Sequence, residues 1–420
     1  MRFAAMSMSP GNQWLRGVLI VVGLIGLPAE SRSQGAVGSG PLTATLTEVE
    51  PTSGVLSMGP VKLAPGITVS QLGIDFNVFH EAENPKEDFI VSAKPDVAVF
   101  TRLRFLQVSG YVGADLNYFK KYADERSVGY GARARVDFLL SRLFPFVAYG
   151  ETQSRERPNS EIDTRANNVQ TEKSGGLGFR LSDTSSAYVS AGRLTTAYEQ
   201  AFEEGVDLGQ SLNRHADDFN GGVRTALTPL TTLTLRGGYR QGLFTGDSTR
   251  DSDSRYVSAT FSFAPQAVIT GSATIGYEDS RFSDPKIRPF RGLTAAASVA
   301  YPVLEIGRLN FIASRSTEYS FDVADAYYIS TAFSLAYSQR IRGAVDLLVQ
   351  GGRTLSDYGY REGSAARSDT TDTLSGGVGY NLRNRTRVAL IYEYSRRRSP
   401  ELPAQNYDGR RVFLSWTYVF

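Results

Sequence analysis

His80 and His215 are the only two histidines in the 420 residues, and the chain has no cysteine. His215 opens the run His215-Ala216-Asp217-Asp218, a base beside two carboxylates, a grouping that can activate water. Both histidines fall at or beside polar, loop-like segments, so a solvated loop side chain is the plainer reading. No Gly-x-Ser-x-Gly elbow, His-rich metal spacing or phosphate-cradling loop occurs. Gly376-Gly377-Val378-Gly379 lies within a strand pattern and no helix follows it, so it is not a nucleotide site. The absence of thiols excludes disulfides, thiolate metal sites and a lipid-modified cysteine. The expectation is a chain that is not an enzyme, with no catalytic residue, metal or cofactor.

The charges that carry a pattern sit inside alternating segments. Arg133, Arg135 and Asp137 interleave with Ala132, Ala134, Val136 and Phe138, and Arg236 and Arg240 interleave with Leu235, Gly237 and Tyr239. A charged side chain at every second position needs water on its side of a sheet, while the apolar positions need lipid or a core on theirs. Read this way, Asp75, Lys94, Asp115, Arg133, Arg135, Asp137, Glu172, Arg180, Arg224, Arg236, Arg240, Asp346, Arg387 and Glu393 are candidates to line an aqueous lumen. Small residues share that face, among them Ser174, Gly176, Gly178, Thr270, Ser272, Thr274, Ser334 and Gly377, and they leave room in its centre. The mixture of signs predicts weak ion selectivity. The overall balance of 45 basic and 43 acidic residues gives no case for nucleic acid.

The elements that hold these residues read as strands throughout. Short polar breaks near 101–104, 141–143, 182–185, 228–230, 264–266, 302–307, 340–343 and 383–385 alternate with longer charged ones. The longer ones fall near 80–87, 120–126, 156–166, 200–212, 246–253, 283–289, 320–326, 359–368 and 399–409. Eight turns and nine loops predict an all-β, transmembrane, antiparallel up-and-down barrel of about 18 strands, with 16 or 20 as the neighbouring counts. Roughly 21 residues per strand and connection suffice for the ~9–11 that must cross the bilayer. Tyr118, Phe119, Phe138, Tyr198, Phe244, Phe263, Tyr277, Tyr301, Tyr319, Tyr337, Tyr358, Tyr380, Tyr394 and Tyr418 stand where strands meet connections, as two aromatic girdles would. Residues 1–33 read as a secretory signal, with Arg2 and Arg16 before the apolar run 17–27, which is too short to span as a helix. Residues 34–65 read as a flexible periplasmic leader and 66–420 as the barrel.

The last ten residues alternate with Val412, Leu414, Trp416, Tyr418 and Phe420 on one face. This ending resembles the terminal strand of bacterial outer-membrane barrels, which implies Trp416, Tyr418 and Phe420 as an assembly signal read by the barrel-assembly machinery. The opening, Gly66-Ile67-Thr68-Val69 and Asp75-Phe76-Asn77-Val78-Phe79 followed by Lys94-Pro95-Asp96-Val97-Ala98-Val99, resembles the Putative β-barrel porin 2 family. That resemblance implies a bacterial outer-membrane location, contact with outer-membrane lipid, and association with exopolysaccharide export, including a periplasmic polysaccharide-export protein as partner. Three functions stay open: a conduit for a hydrophilic polymer such as a secreted exopolysaccharide, a general diffusion porin, and a non-conducting surface scaffold or adhesin.

Overall fold

The alternation closes into a cylinder. The computed structural model describes residues 56–419 other than 160, 305, 323–324, 364 and 383–385. Eighteen long strands follow one another around the wall. The first six are β1 (Val61–Asp75), β2 (Asp88–Arg102), β3 (Leu106–Phe119), β4 (Ser127–Phe138), β5 (Leu143–Glu156) and β6 (Ala166–Arg180). The next six are β7 (Ser185–Tyr198), β8 (Arg214–Thr228), β9 (Thr231–Phe244), β10 (Ser252–Phe263), β11 (Thr270–Phe282) and β12 (Phe290–Val303). The last six are β13 (Gly307–Tyr319), β14 (Tyr327–Arg342), β15 (Val345–Asp357), β16 (Ser368–Leu382), β17 (Thr386–Arg398) and β18 (Tyr407–Val419). Each pairs antiparallel with the next, and β18 returns to β1 through Gly66↔Val419 to Asp75↔Arg411, so no long edge is left open.

The closing seam explains one glycine. The β1–β18 register slips between Val69 and Leu72, a bulge that bends β1 just before the seam tightens. Beyond it, a Cβ on Gly73 would lie 2.0 Å from the Val412 carbonyl oxygen, so the backbones approach closer there than any side chain permits. β1 also corrects the expected boundary. The strand starts at Val61, and Leu56–Met58 folds back on it as a short hairpin, so residues 56–65 belong to the wall and not to a leader. Residues 1–55, which include the expected signal segment, and Phe420 lie outside the described residues.

Exposure separates the two faces. Val189 and Val257 are 61% and 60% exposed, and Leu235, Ile275, Leu293, Leu335, Val378, Leu390 and Leu414 share their outward parity. A soluble core would bury these side chains; a bilayer accepts them. The girdle expectation is corrected in part. Phe119, Tyr198, Phe244, Tyr319 and Tyr358 are buried in the loop region, whereas Tyr118, Phe138, Tyr277, Tyr301 and Tyr380 are exposed on the wall. The first group sits near the long loops, where apolar rings find protein instead of lipid. Eighteen strands ~4.8 Å apart and tilted ~40° give a backbone wall about 35 Å across.

Candidate functional site: the lumen and its mouth

All fourteen charged candidates point opposite to the exposed apolar columns, and cross-strand pairing gathers most of them into clusters. Arg411 Nε donates to Asp75 at 2.8 Å and its Nη1 reaches Glu393 at 3.5 Å, tying β18 to β1 and β17. Lys94 Nζ stands 2.6 Å from Asp115 across β2 and β3. Arg135 donates to Asp137 from Nε and Nη2, and its guanidinium lies 4.1 Å over Phe146. Glu172 faces Arg133 within electrostatic reach, and Arg180 lies over Phe144. The largest cluster centres on Asp218, which accepts from Arg236 Nη2 at 2.9 Å and from the Tyr256 hydroxyl, with Arg240 Nε at 3.4 Å. Asp346 accepts from Arg387 Nη2 at 2.6 Å and from Asn381. Arg224 makes no ion pair or side-chain hydrogen bond among the described residues. The paired charges satisfy one another and leave little net field in the bore.

The rest of the wall is neutral. Across β10 to β16 one inward row runs Thr260, Thr274, Ala296, Ser314, Ala332, Thr354, Thr371. The row beside it runs Ser262, Ser272, Ser298, Ile312, Ser334, Gly352, Thr373. These seven strands present small side chains and hydroxyls at mid-height, with charges such as Glu278, Arg308 and Asp369 only towards the ends. The opposite arc carries inward rings that the strand pattern alone did not single out, Phe146 and Tyr188, and Tyr256 stands at the edge of the neutral arc on β10.

The mouth on the long-loop side is filled from within. The connection between β5 and β6 holds residues 157–159 and 161–165 among the described residues, and its nine positions at ~3.3 Å each can reach about 15 Å out and back. Ser320 and Phe321, from the far side, meet them. Glu161 is fully buried and accepts from the Ser320 hydroxyl at 2.7 Å and the Phe321 amide at 3.3 Å, with Arg367 at 3.4 Å. Asp163 pairs with Arg397 at 3.3 Å and with His80 Nδ1 at 3.1 Å. His80 is stacked on Tyr407 and held at φ 56°, in the left-handed region. Arg157 and Arg165 both donate to the Val78 carbonyl, so the β1–β2 loop is drawn in as well. Val78 is fully buried here because the strand ends at Asp75 and the chain turns into the bore.

Apolar contacts seal the same junction. Ile162 packs with Tyr198, Leu208, Leu212 and Phe321, the two leucines coming from the short helix α1 (Leu208–Leu212). Arg250, wholly buried, donates to the carbonyls of Ser211 at 2.7 Å, Ser320 and Ala326, and so laces three loops together. Burial lowers its pKa to about 10, leaving it cationic at any physiological pH. Burial pushes the Glu161 carboxyl up to about 7, against the pull of Ser320, Arg367, the Phe321 amide and Arg397. Between the plug and the β1–β5 wall lies a cavity of about 100 Å³, lined by Ser92, Lys94, Asp115, Asn117, Arg157 and Arg411.

Glu161, Ile162, Asp163 and Arg250 were not singled out from sequence, whereas His80 was noted as a loop side chain and Tyr198 as a girdle ring. The available signal was apolar side chains stranded in polar loops, Ile162, Val206, Leu208 and Leu212, which need a protein surface to cover them. His215 and Asp217 face outward while Asp218 faces the lumen, so the suspected base and one of its carboxylates lie on opposite sides of the wall.

The family model described as Putative beta-barrel porin 2 matches residues 57–420. The chain belongs to this family. It is a porin-like outer-membrane β-barrel channel, and its fold and family point to a channel rather than an enzyme. A search among curated proteins returns no match. Among solved structures the chain is similar to OccK2 (OpdF) of Pseudomonas aeruginosa, with 11% identity, 85% of this chain and 98% of that one covered, and a TM-score of 0.49. It is also similar to OccAB4 of Acinetobacter baumannii, with 10% identity, 86% and 99% covered, and a TM-score of 0.46. A BenF-like porin from Pseudomonas fluorescens Pf-5 gives 10% identity, 86% and 99% covered, and a TM-score of 0.46. Similarity at this level says nothing of the solute.

Proposed function

We propose that this channel passes a hydrophilic, largely uncharged polymer, a secreted exopolysaccharide, out of the cell. The observation that carries the reading is the neutral arc of β10 to β16. Its Ser and Thr hydroxyls can exchange hydrogen bonds with successive sugar hydroxyls, and it holds no fixed charge at mid-height to trap the chain. Small side chains on that arc leave the bore widest where the glycan would slide. The plug around Glu161, tied across the mouth by Ser320, Arg367 and Arg250, makes passage conditional in this reading. A general diffusion porin would stand open constantly, and the filled mouth argues against that. The same reading includes a signal segment cleaved near residue 33, assembly machinery that reads Trp416, Tyr418 and Phe420, and a periplasmic polysaccharide-export protein below the channel. The test is polymer release from liposomes holding the purified chain without residues 158–164. Uncharged glucans should leave faster than polyanions of equal size. Equal retention of both, or preferential release of the polyanion, would contradict the proposal.

A further inference from the structure

The lumen accounts for the inward charges, but a second set of charges faces the membrane. On β15 to β18 an outward row runs Arg353, Asp372, Arg396, Asp408. Arg353 holds Asp372 through two hydrogen bonds, of 2.6 and 3.0 Å. Arg398 holds Asp408 the same way, at 3.1 and 2.8 Å. Both acids are therefore taken, although Arg396 still adds to the field at Asp408. Arg396 and Arg410 are exposed and make no ion pair, side-chain hydrogen bond or ring contact among the described residues. Tyr394 lies opposite Arg410 and Arg396 opposite Asp408, so the two arginines are diagonal neighbours on one face, with Cβ atoms roughly 7 Å apart.

Their height on the wall selects the partner. Leu390, Tyr392, Val412 and Leu414 are exposed on the same face just below them. Loop 399–406, one of the long loops, lies just above. An arginine facing hydrocarbon costs about 2–4 kcal/mol at the midplane and close to nothing at the interface, so these two sit at the headgroup level of the outer leaflet. Two like charges this close repel, and among the described residues neither is held by a carboxylate through an ion pair. A phosphate between two guanidinium forks does so with charge-assisted hydrogen bonds. The surplus recurs on β10 to β12, where Arg281 and Arg291 share Asp279.

We propose that Arg396 and Arg410 bind a phosphate group of a phosphorylated outer-leaflet glycolipid, whose acyl chains lie along the apolar column below. The occupant is a lipid because the pair is continuous with that column. The test is native mass spectrometry of the full chain in detergent, titrated separately with diphosphorylated lipid A, its dephosphorylated form and inorganic phosphate. Diphosphorylated lipid A should bind at least tenfold more tightly than the dephosphorylated form, and its binding should weaken as salt rises. Arg396→Gln with Arg410→Gln should lower that affinity about tenfold, and Arg396→Lys with Arg410→Lys should keep most of it. Arg193→Gln, which removes an outward arginine committed to Asp217 on the far side of the wall, should change little. Equal binding of the two lipid forms, or an unchanged affinity in the double glutamine variant, would overturn the proposal. Competition by inorganic phosphate at equal concentration would also overturn it, by assigning the site to the free anion.

Discussion

Glu161 is the residue on which the mouth turns. A carboxyl at about 7 when docked, against an ordinary 4.5 when free, binds more protons docked than released between those values. Docking is therefore most stable below pH 4.5, weakens as pH rises towards 7, and stays at its weaker level above that. The difference is on the order of a few kcal/mol. Single-channel open probability should accordingly be higher at pH 8 than at pH 5, and Glu161→Gln should stay shut and lose the dependence. Pore opening on acidification instead would show that another group governs the loop. Arg250→Ala should act in the opposite sense. It leaves three loop carbonyls without their donor, which should raise basal conductance and speed proteolysis of the loops while the barrel stays folded. The two kinds of residue were unequally legible in the sequence. Arg133, Arg236 and Arg387 declared their side by strand parity, a local rule. Glu161 owes its role to partners more than 150 positions away and Arg250 to partners 39 to 76 positions away, which no local pattern encodes.

Among the elements, the strands were readable and the loops were not. Period-2 patterning and the contrast of short and long breaks located the described strands within a few residues, because each strand must satisfy lipid on one side and water on the other wherever it crosses. The reading failed where that constraint stops. β1 ends at Asp75 and so releases Val78 into the mouth; Phe119, Tyr198 and Phe244 turn from the membrane edge towards the loops; and the wall begins at Val61 because Leu56–Met58 supplies a hairpin partner. Glycine content alone could not have marked Gly73, whose necessity comes from a neighbour about 340 residues on. Gly73→Val should prevent the β1–β18 seam from closing, since even a Cβ meets the Val412 carbonyl at 2.0 Å. The variant should run as unfolded material on unheated gels, whereas Gly376→Ala, where the nearest atom is 3.8 Å away, should fold.

The whole molecule is a wall between two solvents, and its stability should respond to each face by a different rule. Leu390→Arg, on the lipid face near mid-strand, should destabilise the barrel by about 2–4 kcal/mol in denaturant titrations from liposomes. Ala332→Arg, on the neutral lumen arc, should cost less than about 1 kcal/mol but slow the passage of glucans. The plug adds the conditional step, since it spans the bore from β5–β6 to β13–β14, almost diametrically opposite. The most direct test of this account is single-channel recording of the intact chain and of the chain lacking residues 158–164 in the same planar bilayer. The account predicts small, infrequent openings for the intact protein and a large, steady conductance for the shortened one, reduced by added neutral polymers that enter the bore. Equal conductance in the two, whether both wide open or both silent, would contradict it.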